Sequence, residues 1–146
     1  MIKVYTDGSY KPSTDQGGFA SIITENDEIL KILHKGFINT TNNRMELYGV
    51  LESLKYYSEP TEFEIYSDST YIVNSINRNF VGKWLSENDE SKKNMDLWSE
   101  IENLMKKHTV RFKWIKGHNN NKFNELADLY ANISATVINP EKDVKN

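Results

Sequence analysis

Two short stretches constrain this chain more than anything else in it. Val4-Tyr5-Thr6-Asp7-Gly8-Ser9 returns, almost residue for residue, as Ile65-Tyr66-Ser67-Asp68-Ser69-Thr70. Each is an alternating run rich in β-branched and aromatic residues that ends in an aspartate and then small or hydroxyl residues. That pattern reads as a strand with an acid at its carboxyl end, where the chain turns away. In an open α/β sheet, ligands meet the protein beyond the carboxyl ends of the strands. Two such strands, adjacent and parallel, bring Asp7 and Asp68 side by side. Like charges that close repel unless a cation lies between them. A metal site is therefore the first expectation.

Composition narrows the metal. The chain has 146 residues, enough for one domain, and no cysteine. Thiolate sites and disulfides are excluded. Oxygen ligands, or the three histidines, must hold any ion, and oxygen favours magnesium or manganese. No apolar run approaches a membrane span, and Met1-Ile2-Lys3 opens directly into a strand. A cytoplasmic protein without a signal peptide is expected. The net charge of -3 argues weakly against a polyanionic partner. With four of the 21 acids set aside on a metal, however, the rest nearly balance the 18 basic residues.

The remaining periodicities predict the order β-β-β-α-β-α-α-β-α. Ile2 to Asp7 starts it, and Phe19 to Thr24 and Glu28 to Ile38 form an antiparallel meander. Asn42 to Tyr57 is a helix, with Leu47, Val50, Leu51 and Leu54 as one stripe and Asn43 as its N-cap. Glu62 to Ser67 is the second acid-ended strand, followed by a helix to about Asn77. Met95 to Lys107 is helical, and Thr109 to Ile115 is a strand with Val110, Phe112 and Trp114 on one face. A last helix runs from Lys122 to about Thr136, with Leu126, Leu129, Tyr130 and Ile133 as its stripe. The expected architecture is α/β: a five-stranded mixed sheet with helices on both faces. Residues 1–138 are read as one catalytic domain and 139–146 as a frayed polar tail.

Two further acids join the strand-end pair. Glu46 borders its helix's apolar stripe, and Asp128 lies on the last helix near Ala127, Ala131 and Ala135. Taken singly, each acid has a plain alternative. Asp7-Gly8 is a common turn dipeptide. Asn43 and Glu46 are spaced as a capping box. Asp68 suits a helix cap, and Asp128 a solvated helix face. Taken together, two strand-end and two helix-edge carboxylates suit a divalent pair.

These residues also carry a family likeness. Asp7-Gly8-Ser9, Thr41-Asn42-Asn43-Arg44-Met45-Glu46-Leu47, Ser67-Asp68-Ser69, Lys116-Gly117-His118 and Asn124-Glu125-Leu126-Ala127-Asp128 resemble the type 1 ribonuclease H family, in order and with family-like spacing. The likeness spans about residues 2 to 136. It implies a ribonuclease H-like fold and an endonuclease that cuts the RNA strand of an RNA–DNA hybrid without strong sequence preference. Two magnesium ions, with manganese as a substitute, would be held by Asp7, Glu46, Asp68 and Asp128. The products would carry 5′-phosphate and 3′-hydroxyl ends. His118 matches the family's loop histidine, which assists proton transfer or product release; its alternative is a surface histidine. Only RNA offers 2′-hydroxyls in the minor groove. By resemblance, Ser9, Asn42, Asn43 and Ser69 would read them, with Glu125 near the RNA strand. A monomer acting on the hybrid, away from membranes, is expected.

One region departs from the pattern. Some family members carry a basic, Trp-containing handle for the DNA strand. Lys83 and Trp84 resemble its start, but Glu87, Asp89 and Glu90 interrupt the lysines between Lys83 and Lys93. Trp84 is equally suited to anchoring its own loop. The rival reading of the whole chain is a catalytically silent hybrid- or RNA-binding module on the same fold. Four clustered acids weigh against it, because a pure binder gains nothing by setting carboxylates near phosphates.

Overall fold

The computed structural model describes residues 1–77, 94–116 and 121–144. Its strands are β1 (Ile2–Lys11), β2 (Gln16–Glu25), β3 (Glu28–Ile38), β4 (Glu62–Ser67), β5 (Thr109–Trp114) and β6 (Glu141–Lys142). Its helices are α1 (Asn42–Tyr56), α2 (Thr70–Asn77), α3 (Met95–Met105) and α4 (Lys122–Ser134). The sheet order is β5-β4-β1-β2-β3-β6. β1, β2 and β3 form the antiparallel meander, and β4 and β5 add in parallel beyond β1. Among the described residues, no helix is long and apolar enough to cross a membrane.

The core lies mainly between the sheet and α1. Val4, Phe63 and Ile65 point up from the strands to meet Leu47, Val50, Leu51 and Leu54, with Trp98 and Ile101 of α3 closing the side. The predicted α1 stripe is therefore the buried one. On the other face, Tyr5 and Ile22 meet Phe123 and Ala127 of α4. β2 is buried along almost its whole length because helices cover both of its faces.

Four expectations need correction. Among the described residues the sheet has six strands, not five: Glu141–Lys142 pairs in parallel with the end of β3. This segment falls within the expected frayed tail. Its register is held by a main-chain bond from Asp143 N–H to the Ile38 carbonyl (2.9 Å) and by the burial of Asp143 itself. Two polar residues carry no periodicity from which a strand is legible. The α1 cap is Thr41, not Asn43. Thr41 has extended backbone, and its hydroxyl accepts from Arg44 N–H at 3.2 Å. Asn42 and Asn43 are thereby left exposed at the helix start.

The inward face of α4 also differs from its predicted stripe. Phe123, Ala127, Ala131 and Ser134 face the sheet, while Leu129 and Ile133 are 52% exposed. Close approach explains this choice. A Cβ on Gly18 of β2 would lie 2.5 Å from Ala135 N and 2.6 Å from the Ala131 carbonyl. Small residues on both surfaces let backbone meet backbone, which excludes leucine from the contact. Finally, Trp114 does not share the burial of Phe112. It is half exposed at the strand end, and its indole N–H donates to the Asp68 carbonyl at 3.3 Å.

Candidate metal centre

The β1–β4 register sets the site. Thr6 lies opposite Ser67, so Asp7 and Asp68 follow as neighbours where the two parallel strands end. α1 then passes over the end of β1 at backbone distance. A Cβ on Gly8 would lie 2.7 Å from Glu46 N and 2.9 Å from the Met45 carbonyl carbon. Glycine at position 8 is what allows Glu46 to be lowered onto the strand ends. One carboxylate oxygen from each of Asp7, Glu46 and Asp68 lies within 4.8 Å of the others.

Asp7 and Glu46 are each only 4% exposed, and Asp68 is half-buried. Asp7 accepts one hydrogen bond from Gly8 N–H at 2.9 Å. Burial, then the charge of Asp68, then the hydrogen bond and charge of Asp128, push the Asp7 carboxyl up to about 8. Burial, followed by the charges of Asp7 and Asp68, holds Glu46 well above the usual carboxylate range. Glu46 Oε2 is buried with no hydrogen-bond partner among the described residues. Asp128 lies outside the three-acid cluster but acts on Asp7 from the rim.

α4 is tied to this end of β1. The Ser9 hydroxyl donates to Asn132 Oδ1 at 2.8 Å, and Asn132 Nδ2 donates to the Asp128 carbonyl at 2.9 Å. Asn132 did not stand out in the sequence, although its place one turn after Asp128 marks the same helix face. Asn124, one turn before Asp128, is buried, and its Oδ1 has no partner among the described residues. Ser69 serves as a helix cap: its hydroxyl accepts from Ile72 N–H at 3.3 Å. Glu125 is exposed on the first turn of α4. His118, Lys83 and Trp84 lie outside the described residues.

A hard divalent cation suits this arrangement. The donors are all carboxylate oxygens, one of them an orphan, and the acids resist ionising together without a counter-charge. A pH dependence follows. A carboxyl whose folded pKa is raised binds protons in the folded state that the unfolded state has released. Its unfavourable contribution grows as pH rises from about 4 in the unfolded chain towards about 8 in the folded one. Without metal, the protein is expected to lose on the order of 2 kcal/mol of stability between pH 5 and pH 8, or several degrees in melting temperature. Magnesium should recover most of that loss at pH 8 and little at pH 5. Thermal melts in EDTA and in magnesium across this range check the point, and a flat EDTA curve would contradict it.

Comparison with known proteins agrees with this geometry. The family model described as RNase H matches residues 1–136. A Ribonuclease H of Caldicellulosiruptor saccharolyticus is 43% identical over 136 residues, covering 89% of this chain and 92% of that protein. A Ribonuclease H of Campylobacter jejuni is 39% identical, covering 99% of this chain and 98% of its own length. Among solved structures, LC9-RNase H1, a type 1 RNase H with the type 2 active-site motif, superposes with a TM-score of 0.79 at 25% identity. That match covers 92% of this chain and 71% of the other.

Proposed function

The chain belongs to the RNase H family, and on that premise we propose that it is an endoribonuclease that hydrolyses the RNA strand of RNA–DNA hybrids. The observation that carries the proposal is the meeting of Asp7, Glu46 and Asp68 at the ends of two parallel strands. Asp7, Glu46, Asp68 and Asp128 are the proposed ligands of magnesium, in a two-ion arrangement that manganese could also fill. The chemistry that such a pair supplies is activation of the attacking water and stabilisation of the leaving 3′ oxygen. The resulting ends are a 5′-phosphate and a 3′-hydroxyl.

The chain's own residues then have distinct tasks. Burial of Asp7 and Glu46 keeps bulk water from screening the site, so each charge there acts at full strength. Asn42 and Asn43, freed from capping by Thr41, are available to the RNA minor groove, where 2′-hydroxyls distinguish RNA from DNA. Ser9, whose hydroxyl donates to Asn132 of α4, is assigned to the same task. Ser69 and Glu125 are assigned to the RNA strand, Lys83 and Trp84 to the DNA strand, and His118 to proton transfer or product release.

The test is cleavage of a labelled RNA–DNA hybrid in magnesium and in EDTA, beside RNA duplex and DNA duplex. Magnesium-dependent cutting of the RNA strand in the hybrid alone is expected. Hybrid binding without cleavage would favour the silent module instead. Cutting of DNA duplex would overturn the substrate assignment.

A further inference from the structure

The C-terminal segment is joined to the site through one buried arginine. Arg44 sits in the first turn of α1, between Asn43 and Glu46, and is fully buried. Its Nε donates to Asp143 Oδ2 at 2.9 Å, and Nη2 donates to Asp143 Oδ1 at 3.1 Å. On its other edge, Nη1 and Nη2 donate to Asp96 at 3.0 and 2.8 Å, and Nη1 also reaches Asn94 Oδ1 at 3.3 Å. All five guanidinium hydrogens are therefore directed at acceptors.

Asp143 does more than balance this charge. It accepts from the Thr40 hydroxyl at 2.7 Å, the Tyr48 hydroxyl at 3.0 Å and Val144 N–H at 2.7 Å. Its carbonyl accepts from Asn39 Nδ2 at 3.1 Å, and its N–H donates to Ile38. One aspartate thus binds Ile38, Asn39, Thr40, Arg44 and Tyr48. These residues bracket Asn42, Asn43 and Glu46. A partner supplied from the far end of the sequence ties the two sides of the turn together.

We propose that Asp143 is a positioning residue for the hybrid-binding asparagines Asn42 and Asn43, so that the C-terminal segment sets how the substrate is held. This inference rests on the functional reading above. Asn42 and Asn43 are exposed at the start of α1. Their placement relative to Glu46 is inherited from the Arg44–Asp143 pair beneath them. Loss of that pair releases the asparagines, while Glu46, seated against Gly8, and Asp7 and Asp68 on the sheet keep their places.

The experiment is steady-state cleavage of the hybrid by the full chain with Asp143→Asn, well below the variant's melting temperature. The expected result is a KM raised roughly five-fold or more, with kcat within about two-fold of wild type. Thr40→Val removes one donor to Asp143 at nearly constant volume. It carries the same prediction at roughly two-fold, and it decides the matter if Asp143→Asn does not fold. A purely structural role would lower the melting temperature and leave KM unchanged, and that result overturns the proposal. If wild type cuts and the variants keep its KM, only the role of Asp143 falls. If wild type does not cut the hybrid, the functional reading falls with it.

Discussion

Asp7→Asn is expected to produce a protein that melts at a higher temperature than wild type in EDTA at pH 8, and that has lost cleavage by about 10³-fold or more. The opposite signs share one cause. Asparagine keeps the shape of the side chain and the oxygen that accepts from Gly8 N–H at 2.9 Å. It removes one of three clustered carboxyl groups whose oxygens lie within 4.8 Å of one another. Relief of that repulsion stabilises the metal-free fold by roughly 1–2 kcal/mol, because wild-type Asp7 resists ionising there. The difference should shrink as pH falls from 8 and vanish only below the unfolded carboxyl's value of about 4, where both states hold the proton. The same lost charge weakens metal binding, and catalysis falls with it. A variant that cuts at the normal rate would remove Asp7 from the ligand set. A variant less stable than wild type at pH 8 would refute the repulsion argument even if activity were lost.

Arg44→Ala is expected to cost about 3–5 kcal/mol, the largest stability loss anticipated for any single side chain here. The reason lies less in the bonds removed than in the charge left behind. The Asp143 side chain is 1% exposed and would stay ionised among Thr40, Tyr48 and Val144 with no cation. Burial alone would raise the Asp143 carboxyl; the bonds from Arg44, then Thr40, outweigh it and hold the group below the ordinary range. A depressed folded pKa gives stability that is present above the unfolded value and lost as pH falls through the folded one. The contribution is therefore complete at neutral pH. Asp96 is 51% exposed and can rehydrate, so it adds little to the loss. Arg44→Lys should recover only part, because an ammonium cannot face two carboxylates with paired donors. Replacing Arg44 and Asp143 together by apolar residues should cost much less than Arg44→Ala. Denaturant melts of the three variants measure the series. A loss below about 1 kcal/mol for Arg44→Ala would mean that the buried charge finds water or another partner.

The candidate site was legible where its information is local. An acid at the end of an alternating run marks Asp7 and Asp68 without knowledge of the fold. The α1 stripe of Leu47, Val50, Leu51 and Leu54 is one face of a helix, and the structure buries all four. The position of Glu46 beside that stripe follows from the same geometry. The buried face of α4 is less legible. The helix's most apolar residues, Leu129 and Ile133, are exposed, because burial there is decided by how near the helix can come and not by hydropathy. The cap of α1 is Thr41 and not Asn43, two positions on, since both are good caps and only the backbone entering α1 selects between them.

The sequence by its local pattern carries the five longer strands, the four described helices and the acids on them, because strand and helix periodicity are properties of neighbouring residues; β6, two polar residues long, has no such pattern. Tertiary structure alone decided which of those residues meet. Gly8 matters because α1 crosses the end of β1, and Gly18 because α4 lies against β2. Asp143 is buried because Arg44, 99 residues earlier, needs a counter-charge. Each of these depends on the separation of two backbones or two charges distant along the chain, which no local pattern records.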